Sequence, residues 1–342
     1  MKIVHSPDQL LRAARTELSG GELVRPFECP ERVAYVLEEA RATGFGTVIP
    51  PVAHGLEPIL KIHDPDYVHF LETAWTEWQA TGAKGEAIPI NWPARRMTQR
   101  APAHVRGKLG YYALAADSSI SEGTWEAARA SVDVALTATD QVIAGDRAAF
   151  GLCRPPGHHA AGDLFGGYCF FNNAAIAAQS LRDSGVGRVA ILDIDFHHGN
   201  GTQDIFWERG DVMYLSIHGD PVEAFPYFLG FAEETGAGAG EGANVNLPLP
   251  RGSDFAIWGA ALETALANIR AFGTGALVVS LGVDAFEGDP ISFFKLKSAD
   301  FRTIGTRLAG LGLPTVFLME GGYAVRDIGV NVINVLSGFE NA

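Results

Sequence analysis

Four ionisable side chains fall within six residues in the run LDIDFHHGNG, at Asp193, Asp195, His197 and His198. In extended backbone, alternate side chains share a face, so Asp193, Asp195 and His197 point one way. Two carboxylates and an imidazole without cysteine suit a divalent metal of hard or borderline character, such as Zn²⁺, Fe²⁺, Co²⁺ or Mn²⁺. A catalytic site of this kind uses three protein ligands and keeps one position open for water. Asp195 and His197 supply two. Asp284, which ends the apolar run ALVVSLGVD, is the third; the following AFEGDP is not an amphipathic helix start, which argues against a simple capping role. Upstream, RPPGHHA presents His158 and His159 side by side behind two prolines and a glycine. Imidazoles titrate near neutrality, so a rigidly mounted pair beside a metal-bound water can take its proton and return one to a leaving amine. In MEGGY, paired glycines allow close backbone approach, and Tyr323 stands where its hydroxyl could donate to an oxyanion.

These residues must be positioned by something regular. Apolar runs at Ile3–His5, Thr47–Ile49, Ala148–Cys153, Val189–Asp193, Val212–Ile217, Ala276–Leu281 and Thr315–Met319 read as strands. Between them lie helical patterns, including PERVAYVLEEARA, DYVHFLETAWTEW, NNAAIAAQSLRDS, WGAALETALANIRAF and FRTIGTRLAGL. Near-continuous apolar strands alternating with helices predict an α/β fold, a single domain with a mostly parallel sheet covered by helices on both faces. Almost every cluster of His, Asp and Tyr falls just after a strand, and in such sheets ligands bind beyond the strands' carboxyl ends. Two stretches break the rhythm. Ala83–Arg106 is polar, proline-containing and long enough to be an interaction loop. TGAGAGEGAN lacks the strand–GxGxxG–helix context of a dinucleotide site and reads as a flexible loop.

Composition sets the outer bounds. The 342 residues are 47% hydrophobic and 19% charged, so a sizeable core is expected. A formal net charge of -14 argues against nucleic-acid or anionic-membrane binding and is compatible with a cationic substrate. Cys29, Cys153 and Cys169 form no CxxC pair and no disulfide framework. With neither a signal-peptide core nor a run of ~18 apolar residues, a soluble cytoplasmic protein is expected.

RPPGHHA, GGYCFFNNAAIAA, LDIDFHHGNGTQDIF, SIHGD, SLGVDAFEGDP and MEGGY together, in this order, resemble the arginase/deacetylase superfamily. Within it the match is to zinc-dependent deacetylases of the histone-deacetylase type. TELSGGELVRPFECPERV, EGTWEAA, GDPVEAFPYFLGFAEETG and DPISFFKL look like bacterial acetylpolyamine amidohydrolases. The two-metal pattern of arginases is missing, because Gly199 and Gly282 occupy the positions of its extra carboxylates.

The resemblance implies hydrolysis of small acetylated amines, with deacetylation of acetyl-lysine peptides or proteins as the alternative. It implies one Zn²⁺ per subunit (Fe²⁺ or Co²⁺ being possible) on Asp195, His197 and Asp284, and His158, His159 and Tyr323 as the catalytic groups. Asp193 would orient His158, and Asn200 would orient His159. Gly167, Tyr168 and Phe225 would line a narrow tunnel, while His198 would be structural. K⁺ is implied at Asp193, Asp195, His197, Ser216 and Ile217, and at a second site around Phe206, Arg209, Val212 and Ala243. Residues 83–106 would serve a homodimer and narrow its entrance. Glu17 and Asp117 are the candidates for a distal ammonium, and Arg106 stands where an acidic entrance residue is expected.

Overall fold

The structure, a computed structural model, describes residues 1–94 and 96–342. Its strands are β1 (Lys2–Val4), β2 (Glu17–Ser19), β3 (Glu22–Val24), β4 (Thr47–Ile49), β5 (Ala148–Gly151), β6 (Val189–Asp193), β7 (Val212–Gly219), β8 (Asn244–Leu249), β9 (Ala276–Leu281) and β10 (Thr315–Met319). Its helices are α1 (Glu31–Thr43), α2 (Glu57–Leu60), α3 (Pro65–Ala80), α4 (Val105–Tyr111), α5 (Thr124–Ile143), α6 (Asn173–Asp183), α7 (Asn200–Phe206), α8 (Phe255–Phe272), α9 (Ser298–Ala309) and α10 (Ile328–Glu340).

Eight strands form one sheet in the order β4-β1-β5-β10-β9-β6-β7-β8, and every pairing in it is parallel. The central strands β5, β6, β9 and β10 are buried along their whole length, as their unbroken apolar sequences require. Helices α5 and α6 pack together against β5, β6, β9 and β10, while α1, α8, α9 and α10 form a second layer. A separate aromatic cluster under α3 and α4 contains Tyr67, Phe70, Tyr112, Phe165, Phe170 and Phe171. It anchors the segments leading into the site.

Helix boundaries follow local chemistry. Asp64 caps α3 by accepting from the Asp66 and Tyr67 amides, with Pro65 in the first turn. Asp254 does the same for α8, which ends at Gly273 in the left-handed region.

Two elements lie outside the strand pattern of the sequence. The edge strand β8, NVNLPL, contains a proline and alternates only weakly. The β2–β3 hairpin is made of short polar strands joined at Gly20–Gly21, both with positive φ. The glycine-rich TGAGAGEGAN also differs from a free loop. It packs against the α7–β7 connection, where a Cβ on Gly240 would lie 2.5 Å from the Trp207 carbonyl oxygen.

The tightest helix contact is between α9 and α10. A Cβ on Gly305 would lie 1.9 Å from the Val335 carbonyl oxygen. Gly305→Ala should therefore force these helices apart and destabilise the fold by about 1–3 kcal/mol, read as a lower urea midpoint at unchanged slope.

Candidate active site

Five parallel strands end on the same side of the sheet, and their trailing residues meet there. β5 leads into His158 and His159, β6 into Asp195 and His197, and β7 into the segment bearing Phe225. β9 leads into Asp284, and β10 into Glu320 and Tyr323. The cavity above them has a volume of about 490 Å³. Its wall includes Glu17, Asp117, Gly167, Tyr168, Phe225 and Tyr323, and His159 and His197 also face it.

Asp195, His197 and Asp284 are buried, with one donor atom from each within 4.8 Å of the others. His197 Nδ1 lies 3.2 Å from Asp195 Oδ1 and 3.0 Å from Asp284 Oδ2. The backbone completes the cradle. The Gly321 amide donates to Asp195 Oδ2 at 2.7 Å, and the Phe196 amide donates to Asp284 Oδ1 at 2.6 Å. Gly321 is required here, since a Cβ would lie 2.4 Å from Asp284 Oδ2 and 2.5 Å from Asp195 Oδ2. At Gly282 a Cβ would lie 2.1 Å from Asp195 Oδ2, so no carboxylate side chain fits there. Burial works against charge on His197, but hydrogen bonds to Asp195 and Asp284 raise it to about 10. The pair of carboxylates thus demands a cation, and the oxygen–nitrogen–oxygen set fits one divalent ion.

The two adjacent histidines behave oppositely. His158 Nδ1 is 2.9 Å from Asp193 Oδ2, which also accepts from the Tyr214 hydroxyl at 3.1 Å. Despite burial, Asp193 and Asp195 raise His158 to about 10. His159 Nδ1 is 2.7 Å from Asn200 Oδ1, the first residue of α7. Burial, and then the positive His158 and His197, lower His159 well below its ordinary value. His159 is therefore a neutral imidazole. Its Nδ1–H donates to Asn200, which leaves the Nε2 lone pair free to accept a proton.

Tyr323 is buried, and burial pushes its hydroxyl far up, so it stays a donor. Its ring lies 5.6 Å from that of Tyr168, with the Arg32 guanidinium 5.1 Å over its face. Arg32 also donates to the Gly322 carbonyl at 2.8 Å.

Glu17 accepts from the Tyr168 hydroxyl at 2.9 Å and from the Phe27 amide at 3.1 Å. Asp117 Oδ1 accepts from the Gly167 amide at 3.0 Å. The two carboxylates therefore approach Gly167–Tyr168 from different segments. Phe225 stands edge-on to His159, with ring centroids 5.1 Å apart. Arg106 lies outside the cavity, at the start of α4, with its guanidinium over the Trp78 ring. His198 sits behind the site, bonded to Gln203 and packed on His218. Of the residues associated with K⁺, Ser216 pairs with Asp193 in the sheet. The carbonyls of Phe206 and Ala243 each accept one backbone amide.

Four supporting residues carry no signal in the sequence. Glu28 pairs with the buried Arg154 at 2.7 Å, just before the prolines. Glu320 accepts from the Gly157 amide at 2.6 Å and the His158 amide at 3.2 Å. Asp289 accepts from the amides of Tyr323 (2.6 Å), Ala324 (3.2 Å) and Ile291 (3.1 Å). Glu86 joins the two segments that carry Glu17 and Asp117. Apart from the local Asp289–Ile291 bond, these partners are remote in sequence, and only the Asp-Pro pair at 289–290 hints at a turn.

Burial raises the Asp289 carboxyl to about 6 against the amides that hold it down. A raised folded-state value adds stability below the unfolded value and loses it as pH rises through about 6. Function runs the other way, because the amides of the Tyr323 segment need the carboxylate. kcat should fall as pH drops below about 6. Asp289→Asn should lower kcat by roughly 10–100-fold at unchanged metal content and flatten that acid limb. Full kcat in the variant would contradict the role.

A model of the histone deacetylase domain matches residues 26–339. An acetylpolyamine amidohydrolase of Mycoplana ramosa is 57% identical over 338 residues, covering 99% of both chains. Acetylpolyamine amidohydrolase 2 of Pseudomonas aeruginosa is 53% identical, again covering 99% of both. The crystal structure of an acetylpolyamine aminohydrolase from Burkholderia pseudomallei superposes with a TM-score of 0.94 at 42% identity, covering 99% of this chain and 98% of that one. Sheet order, buried site and sequence agree in one conclusion: the chain belongs to the histone deacetylase domain family of metal-dependent hydrolases.

Proposed function

We propose that the chain hydrolyses the acetamide of small acetylated amines, acetylpolyamines and acetylated diamines, to acetate and the free amine. The observation that carries this reading is a cavity lined together by Tyr323, His159 and two carboxylates, Glu17 and Asp117. The names of full-length relatives above 50% identity support the substrate class.

In this reading Asp195, His197 and Asp284 hold one divalent ion, Zn²⁺ with Fe²⁺ or Co²⁺ as substitutes. Such an ion, when bound, polarises the acetyl carbonyl and acidifies a coordinated water. The chain's own groups do the rest. His159 Nε2 takes the proton of the attacking water and passes it to the departing amine. His158, held positive by Asp193, offsets the negative charge that develops nearby. The Tyr323 hydroxyl donates to the acetyl oxygen. Gly167, Tyr168 and Phe225 enclose the methylene chain, and Glu17 and Asp117 face the distal ammonium. K⁺ at the two backbone-rich sites would stiffen the strand ends.

The same reading gives residues 83–106, apart from Arg95, which lies outside the described residues, to a homodimer contact. Ile90, Trp92 and Met97 are exposed apolar side chains there. No helix of the described residues is long and apolar enough to cross a membrane.

Comparing kcat/KM across N-acetylputrescine, N-acetylcadaverine, longer acetylpolyamines and an acetyl-lysine peptide tests the substrate class. The acetylated diamines should be the better substrates. An enzyme that ignores them while processing the peptide well would move the assignment to the peptide class. Tyr323→Phe should lower kcat by about 10²–10³-fold while metal stays bound. His159→Ala should cost more turnover than His158→Ala, and the reverse order would exchange the two roles. Chelation should abolish turnover, and Zn²⁺ should restore it.

A further inference from the structure

Glu86 lies in the 83–106 segment and is not part of the catalytic cavity wall. Its carboxylate nevertheless accepts four hydrogen bonds from two separate stretches of chain. The Arg15 amide donates at 2.7 Å, the Thr16 amide at 3.1 Å and the Thr16 hydroxyl at 2.7 Å. The Ser119 hydroxyl donates at 3.1 Å. These acceptor contacts hold the Glu86 carboxyl below its ordinary range in spite of burial. The adjoining residue Ala87 exchanges both backbone hydrogen bonds with Ile120, at 2.9 Å each.

Both stretches adjoin a carboxylate of the catalytic cavity wall. Thr16 immediately precedes Glu17 and the β2–β3 hairpin. Ser119 lies two residues after Asp117, and the intervening Ser118 accepts from the Tyr168 amide at 2.6 Å while donating to Asp117 at 2.8 Å. Glu17 and Asp117 thus converge on Gly167–Tyr168 from segments with no regular structure in common. Arg12, in the stretch leading to Glu17, also donates to the Ser119 carbonyl at 2.9 Å, but Glu86 is the acceptor that Thr16 and Ser119 share. Its other side borders a cavity of about 580 Å³ lined by Arg15, Trp75 and Glu126, away from the catalytic groups.

We propose that Glu86 is a positioning residue for substrate recognition: its carboxylate sets the distance between Glu17 and Asp117 and thereby the enzyme's preference for a substrate bearing a distal ammonium. The proposal rests on the reading that those two carboxylates face that ammonium. The Tyr168 hydroxyl and the Gly167 amide each hold one carboxylate head, but neither ties together the backbones that carry Glu17 and Asp117. An anionic acceptor shared by both segments can do so, because charge-assisted hydrogen bonds are short and strong. Glutamine in its place offers a single acceptor oxygen and serves only part of the set.

The test compares N-acetylputrescine with N-butylacetamide, an uncharged amide of similar length, in the metal-loaded full chain. Glu86→Ala should raise KM for N-acetylputrescine on the order of tenfold with little change in kcat. The ratio of kcat/KM for the charged over the neutral substrate should fall by the same factor, and Glu86→Gln should recover part of it. An equal loss on both substrates, or none on either, would overturn the proposal. Should Glu86→Ala not accumulate as folded protein, Thr16→Val and Ser119→Ala each delete a donor to the same carboxylate. Each should then lower the ratio by about 2–5-fold. Glu17→Gln and Asp117→Asn, measured with the same two substrates, separate the underlying reading. If they leave the ratio intact, the ammonium assignment fails. If they collapse it and the Glu86 series does not, only the positioning role fails.

Discussion

Two carboxylates, Asp195 and Asp284, face one imidazole in a buried site, and this concentration of negative charge is the constraint around which the molecule is arranged. Unpaired, each buried carboxylate would cost several kcal/mol. The response is divided between them. His158 and His197 hold Asp195 low against the effect of burial, while burial and the neighbouring Asp195 push Asp284 up. Backbone amides of Phe196, His197 and Gly321 supply fixed donors. What remains is a demand for a cation between the two carboxylates. A proton on His197 and a divalent ion are alternative answers, so ion uptake should be linked to proton release. Side chains at positions 282 and 321 would collide with these oxygens, which is why both positions are glycine.

The same charge separates the two adjacent histidines. His158 faces Asp193 and Asp195 and carries the positive charge they favour. His159 has the amide of Asn200 in place of a carboxylate, and a charged neighbour at a ring distance of 4.0 Å. Adding a second positive charge there would be costly, so His159 keeps its lone pair. An aspartate at position 200 would erode this difference. The mount matters as much as the charge. Prolines stiffen the approach, yet the loop is pinned by Glu28 on Arg154 and by Glu320 on the amides of Gly157 and His158. These anchors are 126 and 163 residues away in sequence.

That distance explains what could be read in advance. Buried parallel strands announce themselves by apolar runs, and polar residues at strand ends mark the site, so the sheet and the candidate ligands Asp195, His197 and Asp284 were legible. β8 was not, because a proline at a sheet edge breaks the apolar pattern without breaking the strand. The β2–β3 hairpin was not, because three-residue polar strands carry no usable period. Glu28 and Glu86 look like ordinary surface acids in sequence, and Asp289 and Glu320 fall inside the quoted motifs without any sign of what they hold. Their roles come from amide donors delivered by other segments, a tertiary property with no local pattern. Arg106 shows the reverse case. Its position in the chain suggested the entrance, yet its guanidinium stacks on Trp78 and leaves the cavity wall to others.

The fold thereby divides two kinds of work. The groups assigned to chemistry sit at the ends of central strands, where the sheet holds them and small displacements would be costly. The groups assigned to recognition sit on additions to the sheet: Glu17 on the hairpin, Asp117 before α5, and Phe225 after β7. The first two additions are tied by hydrogen bonds to side chains instead of a shared ladder. Such ties can be exchanged one residue at a time without disturbing the sheet, whereas Asp195 cannot move without displacing the Gly321 amide and the loop that carries Tyr323. Catalytic geometry is therefore the rigid part of this design. On the proposed reading, selectivity among amines rests on a few acceptor carboxylates, each replaceable, placed where the regular structure ends.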